Sequence, residues 1–176
     1  NTTSQQASSD FNISGNGTAG GTLTGNVVAA ATQFNIGADR VLGNAGSENV
    51  FVGAGAGVSN SGGIENAFVG RLAGNANSNG SGNTFMGFSA GRFTNAGTNN
   101  TFVGSRVGVT NTTGNFNSFV GHRAGEANQG SLNSFFGTGA GLFTASGSSN
   151  TFVGHDAGNA NSGGSFNTVL GENADV

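Results

Sequence analysis

The chain has 176 residues, the length of one ordinary domain, but 35 are Gly, 7% are charged, Phe supplies all 15 aromatics, and Lys, Pro, Cys, Trp and Tyr are absent. Without Cys there is no disulfide framework or thiolate metal site. Five Arg at a net charge of −3 argue against a nucleic-acid surface, and no apolar run approaches the ~18 residues of a membrane span. Collagen needs Pro and strict triplets, and disorder is opposed by the number and spacing of the Phe residues.

In chain order, residues 1–45 read as a strand-containing cap or connector. Asn1–Asp10 is polar and aperiodic. Apolar pieces follow at Phe11–Ile13, Thr22–Thr24 and Val27–Val28. Phe34-Asn-Ile-Gly37 echoes Phe11-Asn-Ile13 at a spacing of 23 residues, which predicts a wider or degenerate coil, and Arg40-Val-Leu-Gly43 leads into a regular array. The first residue is not Met, which fits a removed signal peptide and equally a trimmed chain.

Residues 46–176 are about eight repeats of one unit, Asn-x-Phe-Val-Gly-x-x-Ala-Gly followed by a polar stretch. The units begin at Asn49, Asn66, Asn83, Asn100, Asn117, Asn133, Asn150 and Asn167, at intervals of 17 with a single 16. Phe51, Phe68, Phe85, Phe102, Phe119, Phe135 and Phe152 occupy the third position and Val169 ends the series. The fourth holds Val52, Val69, Met86, Val103, Val120, Phe136, Val153 and Leu170. Gly follows every time, and a second Gly stands at the ninth position until Asp175 replaces it.

Seventeen residues are too few for a helical repeat, and paired Gly with β-branched and aromatic residues disfavour helix. The unit therefore predicts one coil of two short strands and two turns. Such coils stack at ~4.8 Å, so eight of them form an all-β, parallel β-solenoid (β-roll) about 38 Å long. Stacking sets Phe on Phe as an apolar ladder and Asn on Asn as a side-chain amide ladder. The missing residue of the short repeat lies within Glu126–Gly130, which marks that stretch as a turn. Phe and Val are adjacent, so they face opposite ways. One row fills the coil, and the other leaves an apolar stripe that needs a cover, most simply the same stripe of identical chains. Solenoid ends expose strand edges, so the N-terminal segment of one unit is expected to pair with the last coil of the next, giving a head-to-tail filament.

Units such as Asn100-Thr-Phe-Val-Gly-Ser-Arg-Val-Gly and Asn150-Thr-Phe-Val-Gly-His-Asp-Ala-Gly resemble the head repeats of trimeric autotransporter adhesins of the YadA type. They are also similar to related trimeric β-roll repeats of bacterial surface and tail-fibre-like proteins. The resemblance covers roughly residues 34–176. It implies a left-handed roll, a homotrimer about a common axis, and an extracellular fibre or adhesin.

Chemistry is sparse. His122 and His155 share one repeat position two coils apart, roughly 10 Å, too far to share a metal ion within one chain. Arg106 and Arg123 fall on successive coils, and three chains would make a ring of six Arg able to hold an anion, although exposed, solvated Arg is the simpler account. No catalytic set, metal site or cofactor motif stands out, and the chain reads as no enzyme. The sequons at Asn99 and Asn111 are expected by chance in so Asn- and Thr-rich a chain. The expected function is a rigid structural or adhesive fibre segment that self-associates, with no nucleic acid and no membrane span; its host or surface ligand is not indicated. The alternatives are a receptor-binding phage-type tail fibre, or an ice-binding β-solenoid. Against ice binding, the sixth position varies from Ala54 through Arg71 and Phe88 to Glu172 and forms no flat Thr array. A polysaccharide lyase would need clustered carboxylates and basic residues that the repeat does not supply.

Overall fold

A computed structural model describes residues 33–36, 39–43 and 48–176. The apolar pieces of residues 11–28 and the polar stretch of residues 1–10 lie outside the described residues. Strands β1 (Gln33–Ile36) and β2 (Asp39–Gly43) form an antiparallel pair, and β2 runs antiparallel to β3 (Val50–Val52). From there one three-residue strand recurs per coil: β4 (Ala67–Val69), β5 (Thr84–Met86), β6 (Thr101–Val103), β7 (Ser118–Val120), β8 (Ser134–Phe136), β9 (Thr151–Val153) and β10 (Thr168–Leu170). The ten strands make one sheet in sequence order, and β3 to β10 are parallel. The chain is an all-β parallel solenoid with a 17-residue coil.

The register sets each repeat position on its own kind: Phe51 on Phe68, Phe68 on Phe85, and so on to Val169 on Phe152. Seven Phe rings are buried inside the coils and stack with centroids 4.6–5.0 Å apart and planes within 3–14° of parallel. Burial contributes roughly 1.5–3 kcal/mol per ring, and each stacked pair adds about 0.5–1.5 kcal/mol.

Each coil has one strand and not two. After the Phe-Val pair the chain leaves the strand at a Gly with φ between +118° and +142°. A left-handed residue follows two positions later (Leu72, Ser89, Arg106, Arg123 and Asp156 among them), so extended backbone cannot continue. The turns that complete the coil still bond to the next one, as in Gly57 N–H to the Ala73 carbonyl at 3.0 Å and Gly74 N–H to that of Ala90 at 2.9 Å. The short repeat confirms where a coil tolerates deletion. Thr112 N–H donates to the Gln129 side chain and Gly114 lies over Gly130, so Thr113 has no counterpart and the gap falls at a corner.

The second conserved-looking Gly of each unit has a steric duty. Gly57, Gly74, Gly91, Gly108, Gly125, Gly141 and Gly158 hold φ between +53° and +63°, and a Cβ there would stand 2.4–2.8 Å from the Phe ring of the same coil. In the last coil the Gly becomes Asp175, and the ring has become Val169. Gly91→Ala is therefore expected to destabilise the protein by about 2–4 kcal/mol, combining left-handed strain with overpacking. Adding Phe85→Val should recover part of that loss, a coupling that chemical denaturation of the two single variants and the double variant measures.

Candidate functional site

The interior holds more polar groups than a simple apolar core. Asn83, Asn100, Asn117, Asn133 and Asn150 are fully buried, with Asn49 and Asn66 nearly so. Each Oδ1 accepts from the backbone N–H of the next coil's Asn at 2.8–3.0 Å. Each Nδ2 donates to a glycine carbonyl of its own coil at 2.8–2.9 Å, from Asn49 to Gly63 through Asn150 to Gly164. The expected amide-on-amide ladder is thus mainly a side-chain-to-backbone staple. Asn100 Nδ2 also donates to Asn83 Oδ1 at 3.1 Å, joining amide to amide. The backbone N–H needs this partner because the preceding residue is left-handed and takes it out of the strand ladder.

A second buried polar row, unread in the sequence, consists of Asn60, Asn77, Thr94, Asn111, Asn128, Thr144 and Asn161. Its signal is an Asn or Thr eleven residues after each of the first seven repeat Asn, which a background rich in both hides. Asn111 donates to Asn128 at 3.3 Å, while the Asn77 side chain, Thr94 Oγ1 and Thr144 Oγ1 have no hydrogen-bond partner among the described residues. Burial of Asn111 also removes its sequon from any glycosylation.

Outside, the strand residues flanking the Phe point away from the core. The row from Val52 to Leu170 is partly or fully exposed, with Met86 at 48% and Phe136 at 42%. Beside it runs Thr84, Thr101, Ser118, Ser134, Thr151 and Thr168. A third row, on the return side of the coil, joins side-chain oxygens to the N–H of the coil before. Ile64 N–H donates to Ser81 Oγ at 3.1 Å, Asn115 to Ser131 Oγ at 3.0 Å, Ser131 to Ser148 Oγ at 3.1 Å and Ser148 to Ser165 Oγ at 3.0 Å.

The structure brings Arg106 and Arg123 together around an acid. Arg106 Nη2 meets Glu126 Oε1 at 2.5 Å, and Arg123 Nε meets Glu126 Oε2 at 2.5 Å. Burial pushes the Glu126 carboxyl up, but hydrogen bonds and charge from Arg123 and Arg106 outweigh it and hold the group below its ordinary value. His155 Nδ1 lies 3.6 Å from Asp156 and 3.9 Å from Glu172. Arg71 stacks over Phe88 at 5.7 Å and Arg92 over Phe93 at 4.9 Å. Among the described residues no group of three or more His, Asp or Glu side chains is arranged to hold a metal ion, and no helix is long and apolar enough to cross a membrane. Compared with protein-family models, with curated proteins and with solved structures, the chain finds no match in any of the three.

Two outcomes follow from these contacts. Thr94→Val deletes a buried hydroxyl that has no partner, so thermal unfolding should show no loss, or a gain of up to about 1 kcal/mol, where a hydrogen-bonded Thr would lose about that much. Glu126, with its folded pKa lowered, adds stability above the unfolded glutamate value that disappears as pH falls through the folded one. Because both Arg side chains are about half exposed, this amounts to less than about 1 kcal/mol. Unfolding of Glu126→Gln against pH should differ from the parent near neutrality and converge with it in acid.

Proposed function

We propose that the chain is a length of rigid extracellular fibre or adhesin, non-catalytic, in which three copies pack their strand faces about one axis. The observation that carries this reading is the outer row from Val52 to Leu170. It is apolar in all eight coils, partly exposed, and free of charge. β3 to β10 span seven strand steps, roughly 34 Å, and an apolar stripe of that length on a soluble chain is an association surface. Identical coils in register make the stripe complementary to itself under rotation. The number three, the left-handed winding and the surface location come from the resemblance to trimeric adhesin repeats. Head-to-tail joining of such rods, through their end strands, would extend them into a filament.

A second reading has one observation in its favour. The regular outward array lies on the strand face, where Thr and Ser recur at one coil pitch beside the Val row, and not at the variable sixth position. A flat, uncharged, periodic face of hydroxyls and methyls is the surface expected to order water as ice does. Met86, Phe136 and Leu170 stand proud of the valines and roughen it, so assembly is the preferred use of the face.

Light scattering with negative-stain microscopy separates the readings. The fibre reading expects about 51 kDa, three times the chain's 17.1 kDa, or threads built of such units. Val103→Asp should release monomers that keep the β circular-dichroism signal, because Val103 is outside the core. A parent monomer of 17.1 kDa that shows thermal hysteresis would replace the fibre with the ice-binding reading.

A further inference from the structure

We propose that the coil corner carrying Phe116 and Leu132 is a binding ridge for a neutral polysaccharide. The residue before each repeat Asn is left-handed in every coil, with φ of +60° at Glu48, +59° at Glu65, +67° at Gly82, +56° at Asn99, +57° at Phe116, +62° at Leu132, +59° at Ser149 and +61° at Phe166, which is exposed like Phe116 and Leu132. Gly and Asn accept that conformation readily; for Phe and Leu it is a true outlier. The strain is not offset by burial, since Phe116 and Leu132 are each 58% exposed on adjacent coils with further coils on either side. Coils that carry Gly82 or Asn99 at the same corner have the same path. The two side chains therefore do nothing for the coil that a smaller residue would not do with less strain, which points to a use outside it.

The neighbouring row says what chemistry that use has. Asn115 Oδ1 accepts from Thr98 N–H at 2.7 Å and from Thr98 Oγ1 at 2.9 Å, while Ser131 Oγ and Ser148 Oγ accept backbone N–H groups of the coils before. Those oxygens are held at one coil pitch by backbone donors, and each serine O–H remains to donate outward. Glu48 and Glu65 stand at this corner in the first two coils, but from there on no ionisable side chain occurs in it, at positions 81–82, 98–99, 115–116, 131–132, 148–149 or 165–166. Apolar knobs, fixed hydroxyls and an amide in a periodic, uncharged line match a polymer with apolar ring faces and equatorial hydroxyls, and they offer nothing to an anion or a cation. In this arrangement sugar C–H faces rest on Phe116 and Leu132 while sugar hydroxyls bond to Ser131, Ser148 and the Asn115 amide. The ridge deepens the adhesin reading by naming a ligand class, but it needs only a single chain and stands whatever the number of chains in the assembly.

Native gels cast with dissolved β-glucan, xylan or galactomannan, with polygalacturonate as the charged control, test the ridge. At least one neutral polysaccharide should retard the parent protein. The Phe116→Asn/Leu132→Asn double variant, which installs the residue found at Asn99, should lose at least tenfold in affinity while its melting temperature stays level or rises. Mobility unchanged in all three neutral gels overturns the proposal, as does equal retardation of parent and variant, or retardation by polygalacturonate alone. If the double variant instead changes the mass seen by light scattering and neither protein is retarded, the corner is a contact between copies of the chain and the glycan assignment falls. Failure in the gels leaves the parent's assembly mass untouched, so it is distinguishable from failure of the fibre reading.

Discussion

The structure depends on one contact: a Phe ring lying against a left-handed Gly in each coil. Gly74 to Gly158 leave no room for a Cβ beside the ring, and the ring then has only its counterparts above and below as neighbours along the axis. Rings stack face to face at 4.6–5.0 Å, which is the ~4.7–4.9 Å spacing of hydrogen-bonded strands. Ring stack and backbone ladder thus share a period, and in-register parallel pairing satisfies both at once. A one-residue slip would turn every Phe outward and every Val inward, so the register is strongly held.

Polar staples complete what the rings begin. At the left-handed corner before each repeat Asn, backbone N–H groups leave the ladder and side chains of neighbouring coils recover them: Asn Oδ1 on the inside, Ser or Asn oxygen on the return side. This explains how coils so rich in Gly fold with no Cys to cross-link them: the entropy lost in ordering Gly is opposed by contacts that recur in each coil. It also confines selection of residue type to the interior. Outer positions carry Arg, His, Phe or Ser at equivalent places without altering the coil, so recognition and assembly belong to those rows. The Arg106–Glu126–Arg123 cluster is one such local variation: its acid sits between two Arg that the sequence reads chiefly as exposed and only secondarily as an anion contact.

Much of this was legible in the residues. A period of 17 with one 16 implied stacked coils, a parallel all-β solenoid and a turn near Gly130, because periodicity in a sequence becomes translation in a solenoid. The Phe and Asn rows were readable for the same reason. The buried row through Asn77, Thr94 and Asn111 was equally periodic but was masked by the abundance of Asn and Thr. The single strand per coil was not legible, because it follows from left-handed φ at residues such as Leu72 and Arg123 that have no sequence preference for it.

Sequence by itself therefore determined the period, the stacking of like on like and the membership of the aromatic, aliphatic and amide rows, since each depends only on spacing. Tertiary structure decided which of two adjacent apolar rows is interior, because only the space left by a left-handed Gly admits Phe and leaves Val outside. It decided that the Asn side chains bond to backbone and not chiefly to one another, since the partner is an N–H freed by the corner before it. It also decided that Phe116 and Leu132 stand strained and exposed at a corner, a consequence of φ that no residue spacing encodes.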